Sequence, residues 1–251
     1  MSNITIKDAV IFVTGANRGI GRAIAEEAVA RGAKRVYAAA RDVSGLQDLV
    51  DRHPEQVSAV RLDVTNSEQI REAAAQAPDV QVLINNAGVA GFSGFIYHHD
   101  QEAAHREMET NYFGPLNVTR AFAEAVIGNG NGAVATVISI GGLTNFPPAA
   151  TYSASKASAH SLTQGMRAEL APQGVTVFGI YPGPIDTDMA SGLDMEKETP
   201  RNAASRIFDG MESGVEDITT DAFADEFVSN LKADAKAVER ENAKMAHQPT
   251  A

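Results

Sequence analysis

The chain has 251 residues, 44% of them hydrophobic, enough for one large domain with its own core. A formal net charge of −11 argues against a general nucleic-acid-binding surface, and the lack of cysteine excludes disulfides and thiolate chemistry. Residues 1–8 carry no basic region leading into a long apolar run, and no apolar stretch exceeds strand length; a cytoplasmic chain without signal peptide or membrane span is expected.

Residues 9–14 (AVIFVT) form a continuous apolar run ending at a glycine, the pattern of a buried parallel strand. The turn that follows reads Thr14-Gly15-Ala16-Asn17-Arg18-Gly19-Ile20-Gly21 and opens a helix over 20–31, where Ile24, Ala25, Ala28 and Val29 recur at helical spacing. Glycines let a backbone approach a ligand closely, and the unpaired N–H groups of a helix start suit a pyrophosphate. Glycines can also serve turn geometry alone; the position of this turn, between first strand and first helix, is what points to a dinucleotide. Further strands are expected at 35–40, 57–62, 82–84, 133–138 and 175–180, with a short last one near 215–219. Helical patterns occupy 67–76, 101–126 and 151–170. Strands separated by helical crossovers imply βαβ units, hence a single-domain, doubly wound parallel sheet of six to seven strands with helices on both faces. Residues 186–215 read as a less regular lobe carrying a substrate loop, and 222–244 as one charged C-terminal helix.

Tyr152 and Lys156 stand four apart on the 151–170 helix, so a phenol and an ammonium share one face. A nearby cation stabilises phenolate, and such a tyrosine can exchange a proton with an alcohol or carbonyl oxygen. Taken alone, the pair also fits a packed tyrosine beside a solvated lysine. Ser139 ends the fifth long strand, at the sheet edge where open α/β sheets bind ligands, and its hydroxyl can hold a carbonyl oxygen or cap a helix.

After the second strand, the place where an NAD site sets an acid falls near Ala40, with Arg41 next and Arg18 in the glycine turn. Two cations and no carboxylate favour a 2′-phosphate, hence NADP(H); NAD(H) remains possible through Asp42 if the strand ends one residue later. His98, His99, Asp100 and His105 lie at a loop-to-helix boundary and read as surface residues, with no metal expected. Asp186 and Asp188 read as caps of the next short helix. Phe92, Phe95, Ile96 and Phe146 either line a pocket or pack in the core.

From about residue 8 to residue 188 the chain resembles the short-chain dehydrogenase/reductase family, with its Rossmann-like fold. The resemblance rests on the glycine turn, on Asn85-Asn86-Ala87-Gly88, on Asn111, and on Ser139, Tyr152 and Lys156, with thirteen positions from Ser139 to Tyr152. Pro182-Gly183-Pro184-Ile185-Asp186-Thr187 completes it. The resemblance implies that Tyr152 gives a proton in reduction and takes one in oxidation. Lys156 would lower the Tyr152 pKa and bind the nicotinamide ribose, and Asn111 would hold a relay water. Cofactor contacts would come from Gly15, Asn17, Arg18, Gly19, Ile20, Gly21, Arg41, Asp63, Val64, Asn85, Asn86, Ala87, Gly88, Pro182, Gly183, Ile185 and Thr187, besides Tyr152 and Lys156. Met189, Leu193 and Met195 fall where the family places its mobile substrate loop.

The implied substrate is a small carbonyl compound or secondary alcohol. Reduction of a 3-oxoacyl thioester and a non-catalytic dinucleotide-binding regulator are the alternatives. The C-terminal third departs from the family's glycine-rich strand and short tail, so a homodimer through the helices bearing Asn111 and Tyr152 is expected rather than a tetramer.

Overall fold

The computed structural model describes residues 4–96 and 99–246. Seven strands form one parallel sheet: β1 (Val10–Thr14), β2 (Arg35–Ala40), β3 (Val57–Arg61), β4 (Val82–Asn85), β5 (Ala133–Val137), β6 (Thr176–Tyr181) and β7 (Asp217–Thr219). Their spatial order is β3-β2-β1-β4-β5-β6-β7, so the winding reverses between β1 and β4. Ligands of such sheets bind in the crevice above that reversal.

The period of two along a strand sorts the core into two layers. On β1, Ile11 and Val13 join one buried cluster, while Val10 and Phe12 join the other. The first layer is covered by α1 (Gly19–Ala30), α2 (Gln47–Arg52) and α7 (Pro200–Glu212). The second is covered by α3 (Ser67–Gln76), α5 (Gly114–Gly128) and α6 (Ala150–Leu170), with α4 (Gln101–Met108) packed against α6. Phe12 and Phe122 meet there at 4.5 Å between ring centroids, each fully buried and each worth about 1.5–3 kcal/mol of transfer free energy. The C-terminal α8 (Ala222–Ala233) and α9 (Ala235–Ala243) follow β7, and Ala224 of α8 joins Ile138, Ile140 and Tyr181 in a small third cluster.

Three expectations need correction. The helix expected over 101–126 is interrupted by a π-helical turn, Glu109–Phe113. Pro115 accounts for it: it has no N–H for the Asn111 carbonyl, and its ring would clash with that carbonyl in an ordinary helix. The 186–215 lobe contains the regular helix α7, capped by Thr199 and buried through Ile207, Phe208 and Met211. The single helix expected at 222–244 breaks at Asp234, whose side chain accepts from the Ala237 amide and so starts a second helix. No described helix is long and apolar enough to cross a membrane.

Candidate active site

The glycine turn is knotted to the end of β4. Thr14 Oγ1 accepts from the amides of Asn86 (2.9 Å) and Ala87 (3.0 Å), and Asn86 Nδ2 donates to the carbonyls of Thr14 (2.9 Å) and Gly15 (3.1 Å). Gly15 and Gly19 have φ of +66° and +56°, the left-handed region that favours glycine. Gly21 is different: a Cβ there would lie 2.3 Å from the Gly15 carbonyl oxygen and 2.2 Å from Asn86 Nδ2, so it is needed for the knot itself. Gly21→Ala is expected to cost about 1–3 kcal/mol by overpacking and to weaken dinucleotide binding with it. Thermal melts with and without cofactor would check both, and an unchanged melting temperature would refute the packing argument.

Arg18 precedes α1 without any side-chain cap, so the first-turn amides of that helix face the crevice. Asn17 packs beside Gly45, Ile20 is half-buried against the first core layer, and Thr187 closes over Gly19. β2 ends at Ala40, as expected, and Arg41 is exposed just beyond it. Asp42 spends its carboxylate on the Ser44 amide at 2.9 Å, which starts a short helical turn. Asp63 is likewise engaged by the Thr65 amide (3.0 Å) and hydroxyl (2.8 Å), while Val64 is buried. Asn85 lies under the crevice: its amide is buried and donates to Thr119 Oγ1 at 3.0 Å.

At the carboxyl ends of β4, β5 and β6 the other expected residues converge. Ser139 has φ +149° with ψ 157°, a conformation few residues other than glycine adopt and one that costs about 1–3 kcal/mol. Its hydroxyl accepts from the Gly141 amide at 3.0 Å and lies 3.5 Å from the Pro182 carbonyl. Burial pushes the Tyr152 phenol up to about 12; the nearby Ser139 hydroxyl opposes this and the Glu107 charge adds to it. Lys156 is buried and donates to the Val137 carbonyl at 2.8 Å, with Nζ 5.7 Å from the Tyr152 ring centroid. Burial pulls the Lys156 ammonium down to about 8.

The expected lowering of the Tyr152 pKa by Lys156 is therefore absent from this geometry. The ammonium faces a carbonyl and the ring, and desolvation dominates both groups. Asn111 braces the site: Nδ2 donates to the Val89 carbonyl and to Ser155 Oγ, and Oδ1 accepts from the Val89 amide, each at 2.9 Å.

A cleft of about 470 Å³ beside Gly88 is lined by Arg18, Val89, Ala90, Phe92, Asp188, Met189 and Leu193, among others. Met195 is exposed in the same segment, as are Phe95 and Ile96 near Phe92. Phe146 instead stacks on Phe227 of α8 at 5.5 Å. Arg18 reaches across the cleft to Asp188 at 2.8 Å, a solvent-exposed ion pair. Ile185 is buried, bridging to Glu198, and Asp186 is tied to Glu198 through its amide. Among the described residues no three His, Asp or Glu side chains gather to hold a metal ion; His98 lies outside the described residues.

Two buried carboxylates had no part in the sequence reading. Asp221 caps α8 through the Ala224 amide (2.8 Å) and accepts from the Gly183 amide (2.8 Å), tying the C-terminal helices to the Pro182-Gly183 segment. Thr220-Asp221 before a helical run was its legible signal as a cap. Glu107, one turn before Asn111, accepts from the Gly91 amide at 2.6 Å.

The family model described as short chain dehydrogenase matches residues 9–198. An uncharacterized oxidoreductase of Staphylococcus saprophyticus is 34% identical over 199 residues, spanning 76% of this chain and 84% of the relative. A 3-oxoacyl-(acyl-carrier-protein) reductase of Vibrio cholerae is 34% identical over 200 residues, 78% of this chain and 81% of its own. A short chain dehydrogenase from Burkholderia cenocepacia, solved in complex with NADP, is 41% identical, with a TM-score of 0.89 over 97% of this chain and 100% of that one.

Proposed function

The chain belongs to the short chain dehydrogenase family, and from that premise we propose an oxidoreductase that moves a hydride between NADP(H) and a small carbonyl compound or secondary alcohol. The observation that carries the proposal is the buried Lys156 ammonium 5.7 Å from the centroid of the Tyr152 ring, with the Ser139 hydroxyl close enough to oppose the rise in the phenol pKa. The residues fit a dinucleotide: an uncapped helix start, a turn held open by glycines, and an exposed Arg41 where a 2′-phosphate would lie. When bound, the nicotinamide supplies or accepts the hydride.

The protein's part is to hold and move a proton. A phenol pushed up to about 12 stays protonated near neutral pH, so Tyr152 is poised as an acid for carbonyl reduction. Ser139, fixed by Gly141 and Pro182, orients the substrate oxygen beside it. Lys156, held on Val137, supplies a cation and a donor for the ribose. Gly88 completes that corner, since a Cβ there would meet Asn111 Oδ1 at 3.2 Å and Lys156 Nζ at 3.4 Å. The apolar lining from Val89, Ala90, Phe92, Met189 and Leu193 favours a neutral substrate.

Cofactor choice tests the reading directly. In assays of reduced-nicotinamide absorbance with a ketone panel, Arg41→Ala is expected to raise the KM for NADPH by about 10- to 100-fold, the loss of one charge-assisted phosphate contact, and to leave NADH use unchanged. Equal use of both cofactors by the wild type would remove Arg41 as the determinant. Similarity to the Vibrio cholerae reductase favours a second reading, reduction of a 3-oxoacyl thioester. A net charge of −11 opposes docking of an acidic carrier protein; turnover of a carrier-free thioester beside the carrier-bound one separates the two.

A further inference from the structure

The segment after β4 is held like a strand whose alternate residues are pinned. Val89 is fixed through both backbone atoms by Asn111 at 2.9 Å, and Gly91 through its amide by Glu107 at 2.6 Å. The Ser93 carbonyl is fixed by the Thr151 amide at 3.2 Å, and its hydroxyl accepts from the Asp100 amide at 2.7 Å. Between the pins, Ala90 and Phe92 line the cleft.

Phe92 has φ +50°, the left-handed region, which is unfavourable for a bulky side chain by about 1–2 kcal/mol and persists only where neighbours impose it. The pin immediately before it is Glu107. That carboxylate is fully buried, and its Oε2 has no hydrogen-bond partner among the described residues. Burying a carboxylate for one amide bond is costly; the bond is short and charge-assisted, which makes it a strong brace. Gly91 has no slack either, since a Cβ there would meet Ala103 Cβ at 2.6 Å. The Phe92 ring, half exposed, shares the cleft with Met189 and Leu193.

We propose that Phe92 is the residue that selects substrates with a bulky apolar substituent, and that Glu107 is its positioning residue, holding the backbone that presents the ring to the cleft. The inference rests on the oxidoreductase reading above and names the substrate class: a carbonyl compound bearing a flat or branched hydrocarbon group. In this arrangement Glu107 touches neither substrate nor cofactor and acts through Gly91.

Steady-state reduction of an aryl methyl ketone and of acetone, with NADPH, tests it on four proteins. Wild type should prefer the aryl ketone. Phe92→Ala should raise the KM for the aryl ketone by about 10- to 100-fold and leave acetone and both kcat values near wild type. Glu107→Met, which removes the acceptor at similar volume, should lose the KM preference for the aryl ketone, and Glu107→Gln, which keeps an acceptor oxygen but also removes the charge acting on Tyr152, should keep it; a kcat change shared by both variants reports that charge. Should Glu107→Met fail to fold, amide hydrogen exchange of wild type carries the second half: protection at Gly91 supports the brace and free exchange overturns it. Wild type that reduces neither ketone, nor any other carbonyl offered, overturns the functional reading itself. Wild type that reduces them without preference, or Phe92→Ala with an unchanged preference, overturns only this inference.

Discussion

Tyr152→Phe is expected to lower kcat for ketone reduction by about 10²- to 10⁴-fold, the usual contribution of a positioned proton donor. Phenylalanine keeps the ring that lies under Lys156 and loses only the hydroxyl. Cofactor affinity, measured by fluorescence titration, should therefore stay near wild type. The pH dependence follows from the raised phenol. Reduction needs the neutral form, which predominates below about 12, so its rate should be level across neutral pH. Oxidation needs the phenolate, so its rate should climb with pH. A variant retaining near wild-type turnover would remove Tyr152 from proton transfer.

Lys156→Met should abolish most activity and yet stabilise the fold near neutral pH. The folded protein holds the Lys156 pKa at about 8 against an ordinary 10.5, so it binds fewer protons there than the unfolded chain. Charging a buried lysine costs about 3 kcal/mol at pH values below the folded pKa, and that cost fades as pH rises from there to the unfolded value. Losing the bond to the Val137 carbonyl returns about 1–2 kcal/mol of it. The net gain is about 1–2 kcal/mol, or roughly 2–8 °C in melting temperature for a domain of this size. Melts at rising pH should show the advantage shrinking between about 8 and 10.5. A variant less stable than wild type at neutral pH would mean that packing around the stem outweighs the charge.

The sheet was legible because its information is local. Apolar runs such as AVIFVT can only be buried strands, and the glycine turn after the first of them marks one end of the crevice. Tyr152, Ser139 and Lys156 were found by type and spacing, and the fold brings them together. What could not be read depends on where desolvation wins. Lys156 one turn from Tyr152 suggests a lowered phenol pKa, but the sequence does not show that the ammonium is buried and bonds Val137 or that the phenol is desolvated. Nor does the sequence show that Asn111 braces Val89 and Ser155. Arg18 and Arg41 read as one phosphate grip, yet Arg18 reaches Asp188, 170 positions away. Nothing in the sequence singles out Glu107, and only the path of residues 89–93 makes it buried. Helix α7 lies inside the segment read as a less regular lobe, although Ala203, Ala204, Ile207, Phe208 and Met211 repeat at helical spacing.

The knot between Thr14 and Asn86 joins residues 72 apart, and β1 sits between β2 and β4. A ribosome making this chain releases β1, β2 and β3 well before β4 emerges. Until then the strand carrying Ile11, Phe12 and Val13 has one side of its backbone open, a template for pairing with another nascent chain. Closure of the dinucleotide crevice and protection of that edge are the same event. Growth conditions that slow synthesis between residues 14 and 85 should therefore raise the aggregated fraction more than equal slowing after residue 137.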